Sequence, residues 1–182
     1  NFNRGDANRN AAWQGSPAVG GINENFAGEK FNTNFDVYQE LTGLPAGYYE
    51  LSAQAYYRAG GNDVLVANKD SKNAVLYAGI NSVPVMGILD EVGQEGMPND
   101  VNIEGYGQVP NGMGTAAQAF TAGLYANNKV VALVTDGTLR VGIKKDVTIA
   151  NDWTMFDNFQ LAYLGTAVPS VFADAVASLN AA

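Results

Sequence analysis

Cysteine and histidine are both absent from this chain of 182 residues, and the two absences exclude several kinds of site. Without cysteine there is no disulfide, no thiol nucleophile and no thiolate ligand for a metal. Without histidine there is no serine–histidine or cysteine–histidine pair for nucleophilic catalysis, and no imidazole ligand. A metal would have to be bound by oxygen atoms, a chemistry that favours calcium or magnesium.

Positive charge is scarce as well, because 10 lysine and arginine residues stand against 18 acidic residues, for a net charge of −8. Phosphate recognition needs clustered basic side chains, so we expect no nucleic-acid partner. No apolar run is long enough to span a membrane, and we predict no transmembrane segment. The chain opens on polar residues without a signal peptide, so we expect a mature form or a part excised from a larger protein.

The residues that are present have a globular composition, with 47% hydrophobic residues and 21 glycines. Short segments of alternating polarity, separated by turn residues, predict an all-β fold. Segments 31–42 and 48–58 are predicted to form a hairpin, and Pro84 predicts that strand 83–89 lies at a sheet edge. The remaining predicted strands or short apolar runs are 64–67, 74–78, 129–135, 138–144 and 156–164.

Two helical patterns interrupt the strands. Thr115 and Gln118 fit a capping box ahead of apolar residues at helical spacing, which predicts one short internal helix. A second pattern follows Pro169 and predicts a C-terminal helix. We therefore expect a β-sandwich domain over residues 1–165, followed by a helix or linker to a further domain over residues 166–182. A jelly roll is the preferred type of sandwich, although periodicity alone does not distinguish it from a Greek-key sandwich.

Aromatic and planar polar side chains suggest carbohydrate binding. The polar face of strand 48–58 carries Gln54, Tyr56 and Arg58, while Trp13 and Trp153 lie in predicted loops. If the same sheet continues through strands 138–144 and 156–164, this face also includes Arg140, Lys144, Asn158 and Gln160. Aromatic rings pack against the apolar face of a sugar, and planar polar groups bind its hydroxyls. The alternative is that the strand residues are ordinary solvated members of a sheet.

Asp157 is the best single candidate for a metal ligand. Alternation over 156–164 places it on one face with Phe159, Leu161 and Tyr163. A carboxylate in an inward-facing row is costly unless it is hydrogen-bonded, paired or bound to a metal. Two interpretations stay open, a calcium ligand or a carboxylate that caps backbone N–H groups at the start of a strand.

Catalysis is not expected from the motifs. The chain has no phosphate-binding loop, no complete dinucleotide fingerprint and no EF-hand. Its carboxylates stand in no recognisable glycosidase arrangement.

Three segments carry a family resemblance: FDVYQELTGLPAGYYELSAQAYYRAG (35–60), GMGTAAQAFTAGLYANNKVVALVTDGTLRVGIKK (112–145) and NDWTMFDNFQLAYLG (151–165). They resemble the galactose-binding-domain-like, carbohydrate-binding-module-like jelly rolls of secreted or surface glycan-processing proteins of Bacteroidetes. The resemblance implies a non-catalytic module of a larger multidomain chain that binds a glycan or polysaccharide. It also implies a secreted, periplasmic or outer-surface location, and a structural calcium held by Asp157 with Asn3 and Glu29. The alternatives are a structural or protein-interaction module without a glycan ligand and, less favoured, a divergent glycoside hydrolase.

Overall fold

The computed structural model describes residues 12–15 and 27–172, which form eleven strands, one α-helix and one 3-10 turn. The elements are β1 (Gln14–Gly15), β2 (Gly28–Phe31), β3 (Phe35–Thr42), β4 (Gly47–Arg58), β5 (Ala74–Ala78), β6 (Asn81–Pro84), β7 (Val101–Ile103), β8 (Gly107–Val109), α1 (Met113–Thr121), β9 (Asn128–Val134), β10 (Thr138–Lys145), β11 (Trp153–Gly165) and the 3-10 turn Ser170–Phe172.

Two antiparallel sheets pack face to face, which confirms the prediction of an all-β sandwich. Sheet A has the strand order β1-β3-β10-β5-β6, and sheet B has the order β2-β11-β4-β9. Apolar residues of both inner faces meet in the core, because alternate residues of a strand point to the same side. Strand β6 ends sheet A, so Pro84 does lie at an edge, but the predicted strand 83–89 is a strand only at 83–84. Segment 64–67, in contrast, forms turns rather than a strand.

The predicted hairpin of β3 and β4 is wrong. Strand β3 pairs with β10 over eight residues in sheet A, while β4 pairs with β11 and β9 in sheet B. The turn between β3 and β4 therefore carries the chain from one sheet to the other. The loop between β10 and β11 likewise crosses from sheet A to sheet B. These neighbouring strands have distant partners, and strand periodicity contains no information about which strands pair.

A third layer, formed by residues 85–125 and here called the cover layer, packs on the outer face of sheet B. It contains the β7–β8 hairpin and helix α1, whose buried side chains are Ala116, Ala119 and Phe120. These side chains meet Tyr56 and Met155 in one apolar cluster. The aperiodic segment 90–114 is thus part of a packed layer on the sheet.

Helix α1 begins three residues earlier than a capping box at Thr115 requires. Gly112 is its N-cap, and the Thr115 hydroxyl accepts a hydrogen bond from the Gly112 N–H at 3.2 Å. No helix among the described residues has the length and apolarity needed to cross a membrane. Of the predicted C-terminal helix, the described part forms only the 3-10 turn, and residues 173–182 lie outside the described residues.

Candidate functional site

A cleft of about 410 Å³ opens between the two sheets on the side of β3 and β11. Its floor consists of core side chains, and its polar rim comes from Gln39 on β3 and from Asn158 and Gln160 on β11. The apolar lining residues are Leu41, Leu51, Val141, Phe159 and Leu161. The cleft falls within the range of volumes typical of small-molecule sites.

Trp13 completes the lining of this cleft. It stands directly before β1, the short edge strand that pairs with Val37 and Tyr38 of β3. The indole ring is half-buried and meets the Phe159 ring edge-on, with 4.8 Å between centroids. The structure thus places one predicted sugar-binding residue, Trp13, in one cleft lining with Gln39, Asn158 and Gln160.

A β-bulge shapes the β11 side of the cleft. The register between β11 and β4 shifts between Asp157 and Gln160, and Asn158 has a φ of 51°. The bulge places Phe159 and Leu161 toward the core on the near side of the cleft. Asn158 also donates its side-chain N–H to Gln54 Oε1, and this hydrogen bond fixes the Asn158 side chain.

The expected exposure of Gln54, Tyr56 and Trp153 is wrong, because the cover layer lies on this part of sheet B. Tyr56 has no exposed surface, and its ring meets the rings of Tyr125 at 4.7 Å and Trp153 at 5.5 Å. Gln54 donates two hydrogen bonds of 2.9 Å to the carbonyls of Phe120 and Leu124, at the end of helix α1. These side chains attach the cover layer to the sheet.

Arg58 is also buried, against the expectation of an exposed sugar contact. Its guanidinium donates to Gly60 O at 3.0 Å, to Asn111 Oδ1 at 2.7 Å and to Asn151 O at 3.2 Å. It also lies over the indole of Trp153, 5.2 Å from the ring centroid. Arg58 therefore joins three loops at one end of the sandwich, and its hydrogen-bonding capacity is largely used within the protein.

Asp157 faces the opposite side of sheet B from Phe159 and Leu161, because the bulge at Asn158 reverses the alternation. Its register partner is Gln54, whose amide reaches the cover layer, so Asp157 lies on the outer face and not in the core row. The side chain is 2% exposed. Burial raises the pKa of the Asp157 carboxyl, while a hydrogen bond from the Asn158 backbone works in the opposite direction.

Glu29 lies on the same outer face as Asp157. It pairs in register with Met155, two residues before Asp157, and its Oε2 accepts the indole N–H of Trp153 at 2.9 Å. Two carboxylates on neighbouring strands suit calcium in ligand type, but calcium takes six to eight oxygen ligands. No group of three or more acidic side chains able to hold a metal occurs among residues 12–15 and 27–172. Asn3 lies outside the described residues, and the calcium site stays a prediction.

Arg140 and Lys144 do not join the polar face of β4, because β10 belongs to the other sheet. They line a hollow of about 320 Å³ on the outer face of sheet A. There, Asp36 accepts hydrogen bonds of 2.7 Å from both Arg140 and the Tyr77 hydroxyl. Arg140 and Asp36 are thus paired within the hollow, while Lys144 pairs with Asp146 at 3.0 Å.

Gln39 is the member of the cleft that sequence analysis did not select. It occupies the inward-facing row of β3 together with Phe35, Val37 and Leu41. An amide in an otherwise apolar inward row was the available signal, since buried polar groups need partners.

Comparison with family models finds none that matches the chain, and comparisons with curated proteins and with solved structures find no match either. The resemblance drawn from the sequence motifs therefore remains a prediction, and the function has to be argued from the site itself.

Proposed function

We propose that this chain is a non-catalytic carbohydrate-binding module that takes a neutral glycan into the cleft between its sheets. The observation that carries the proposal is the composition of the cleft, in which Trp13 stands with Gln39 from the inward row of β3 and with Asn158 and Gln160 on the β11 side. An indole offers a platform for the apolar face of a sugar, and amides donate to and accept from its hydroxyls.

The neutral character of the glycan follows from the charge of the lining. None of the described residues that line the cleft is Asp, Glu, Lys or Arg. A uronic acid or sulfated sugar would lose water in this cleft without gaining an opposite charge, which is unfavourable. Glycoside hydrolysis needs a pair of carboxylates at the scissile bond, so this cleft favours binding over the divergent-hydrolase alternative.

The proposal includes the finer features that the motif resemblance implies. These are a galactose-binding-like jelly-roll topology, a place in a larger secreted, periplasmic or surface protein, and a structural calcium at Asp157 and Glu29. The strand orders of the two sheets support the topology, since each sheet combines strands from distant parts of the chain.

Binding to an array of neutral polysaccharides, followed by calorimetry with the best ligand, tests the proposal. We expect Trp13→Ala to weaken binding by at least about tenfold, equivalent to about 1.4 kcal/mol. The matched control is Phe31→Ala, which removes an aromatic ring that is 51% exposed and lies outside the cleft. Absence of binding to every glycan, or binding that survives Trp13→Ala unchanged, would contradict the proposal.

A protein-interaction module is the second candidate, and a groove with a partly apolar lining favours it. The groove, of about 690 Å³, runs along the adjoining edge strands β6 and β9 and is lined in part by Val83, Val131 and Phe172. Ile80, which is completely exposed, lies beside it. Sedimentation over a range of concentrations, with Ile80→Lys as the variant, tests whether this groove drives association. Association that this variant abolishes, together with absent glycan binding, would favour the second candidate.

A further inference from the structure

A lysine lies inside the sandwich. Lys145 is the last residue of β10 and continues the inward row of Leu139, Val141 and Ile143. It pairs with Phe35 of β3 on one side and with Ala74 of β5 on the other, so its backbone is fixed within sheet A. Its side chain has no exposed surface.

Asp152, directly before β11, is the partner of this lysine and is equally inaccessible. The Lys145 Nζ contacts Asp152 Oδ1, while Oδ2 accepts the Tyr57 O–H and the Ile149 N–H, each at 3.0 Å. The Asp152 backbone is held as well, because its carbonyl accepts the Asn32 N–H at 2.8 Å. One carboxylate oxygen thus faces an amine and the other faces two neutral donors.

We propose that Lys145 and Asp152 condense to an intramolecular isopeptide bond that covalently joins sheet A to the start of β11 in sheet B. The ammonium first transfers a proton to Oδ1, which gives a neutral amine and a neutral carboxylic acid. The amine nitrogen then attacks Cγ, and negative charge develops on Oδ2. A second proton passes from nitrogen to the Oδ1 hydroxyl, which leaves as water, and Cγ, Oδ2 and the N–H remain as the amide.

The surroundings of the pair fit each of these steps. Burial lowers the pKa of the Lys145 ammonium, while its contact with Asp152 works in the opposite direction. In a water-free interior, proton transfer within the pair removes two charges at once. Tyr57 and Ile149 are placed to stabilise the charge on Oδ2, as the donors of an oxyanion hole do. Burial and the neighbouring Asp152 raise the pKa of the Tyr57 phenol, so it keeps its proton as a donor.

The proximity of Lys145 and Asp152 also favours the condensation. Lys145 is fixed in strand β10, and Asp152 is fixed by the hydrogen bonds to its backbone carbonyl and its carboxylate. Two groups held in contact in this way react as if each were present at a very high local concentration. Exclusion of water from the site also protects the product amide from hydrolysis. Because the chain lacks cysteine, this bond would provide a covalent cross-link that needs no oxidant.

The intact mass of the purified chain under denaturing conditions tests the proposal. We expect the wild-type chain to be lighter than its sequence mass by one molecule of water. Lys145→Met and Asp152→Ala should both have their full sequence masses, whether or not they fold. A wild-type chain with its full sequence mass overturns the proposal.

Loss of water through a succinimide at an aspartate would give the same mass change, and two observations separate the reactions. A succinimide would persist in Lys145→Met, whereas the isopeptide bond cannot form there. The isopeptide bond also blocks tryptic cleavage after Lys145, so the peptide should begin at Lys145 and lack one water. A deficit that persists in Lys145→Met, or normal cleavage after Lys145, overturns the proposal.

Tyr57→Phe tests the role of the phenol separately from the existence of the bond. The phenylalanine keeps the ring in the core and removes one of the two donors to Oδ2. We expect freshly purified Tyr57→Phe to contain a mixture of linked and unlinked chains, with the linked fraction growing on incubation. A fully linked variant from the outset would overturn the role assigned to Tyr57.

Discussion

Replacement of Arg58 by methionine removes the side chain that joins three loops at one end of the sandwich. The guanidinium is 7% exposed and donates to Gly60 O, Asn111 Oδ1 and Asn151 O. Methionine retains most of the apolar stem of arginine, so the substitution removes the charge and the donors with little loss of packing. The acceptors on the three loops then lose their common partner.

The expected cost follows from the burial of each hydrogen bond. A hydrogen bond to a charged group contributes about 1.5–3 kcal/mol. The bond to Gly60 O is buried, whereas those to Asn111 and Asn151 are part-buried and water replaces them in the variant. Burial lowers the pKa of Arg58, which shows a desolvation cost that methionine does not carry. We therefore expect a loss of about 3 kcal/mol, or about 6–12 °C in melting temperature for a chain of this size.

Urea and thermal unfolding of Arg58→Met, compared with Arg140→Met, provide the measurement. Arg140 is a matched control because it is exposed, pairs with Asp36 on the surface and lies over the Tyr38 ring. An exposed ion pair contributes at most about 1 kcal/mol, and high salt screens it. If Arg58→Met costs no more than Arg140→Met, the structural role of Arg58 is refuted. Glycan affinity that falls with Arg58→Met while stability is preserved would instead restore Arg58 as a binding residue.

Three further predictions concern Gly142, the Asp157 carboxyl and a bound calcium ion. A Cβ on Gly142 would lie 2.4 Å from Val37 O, so Gly142→Ala should lower the free energy of unfolding in urea by about 2–3 kcal/mol. The control Gly112→Ala, whose Cβ meets no atom within 4 Å, should lower it by about 0.5 kcal/mol. Equal losses for the two variants would contradict this prediction. Because burial raises the pKa of Asp157, the folded state binds the proton more tightly, and wild-type stability should fall as pH rises through the interval between the unfolded and folded pKa values. Asp157→Asn has no carboxyl to titrate, so this pH-dependent loss of stability should be absent from the variant. Parallel profiles of stability against pH for the two proteins would refute the prediction. If calcium binds at Asp157, saturation at about 100 times Kd adds about 2.7 kcal/mol, so a chelator should lower the melting temperature; an unchanged value would count against the site.

Strand positions and the sandwich class were accessible from the sequence, because alternation reports burial on one side of a strand. The alternating residues of β3 and β10 do face the core as predicted. Segment 129–135 is apolar on both faces, a pattern that predicts a central strand, but β9 is an edge strand with alternating burial. Pairing was not accessible, since β3 finds β10 about a hundred residues away while its sequence neighbour β4 joins the other sheet. The bulge at Asn158 was missed for a related reason. One extra residue reverses the faces of everything after it, and alternation read through a bulge assigns Asp157 to the wrong side.

Burial of the predicted sugar-binding residues has a different cause. Strand β4 alternates in the same way along its whole length, yet its first half is solvated on one face and its second half is buried on both. The difference is the cover layer, which lies over the second half alone. A strand pattern shows which residues share a face, but a distant segment decides whether that face meets solvent. Trp153 and Tyr56 therefore became core residues, whereas Trp13, outside the cover layer, lines a cleft.

The hydrogen-bonding chemistry that suggests sugar binding also explains why several of the predicted binding residues have a structural role. A guanidinium or amide that suits a sugar hydroxyl suits a loop carbonyl equally well, and the fold supplies such carbonyls next to Arg58 and Gln54. A planar polar group on a sheet remains available to a ligand only where no loop reaches it. Gln39 meets this condition at the cleft, since it belongs to the inward row of β3, lines the cleft and donates no side-chain hydrogen bond to a backbone carbonyl in the part of the chain described by the structure. Substitution of Gln39 should therefore reduce glycan binding without the loss of stability expected for Arg58, a separation that a purely structural role for the cleft would not produce.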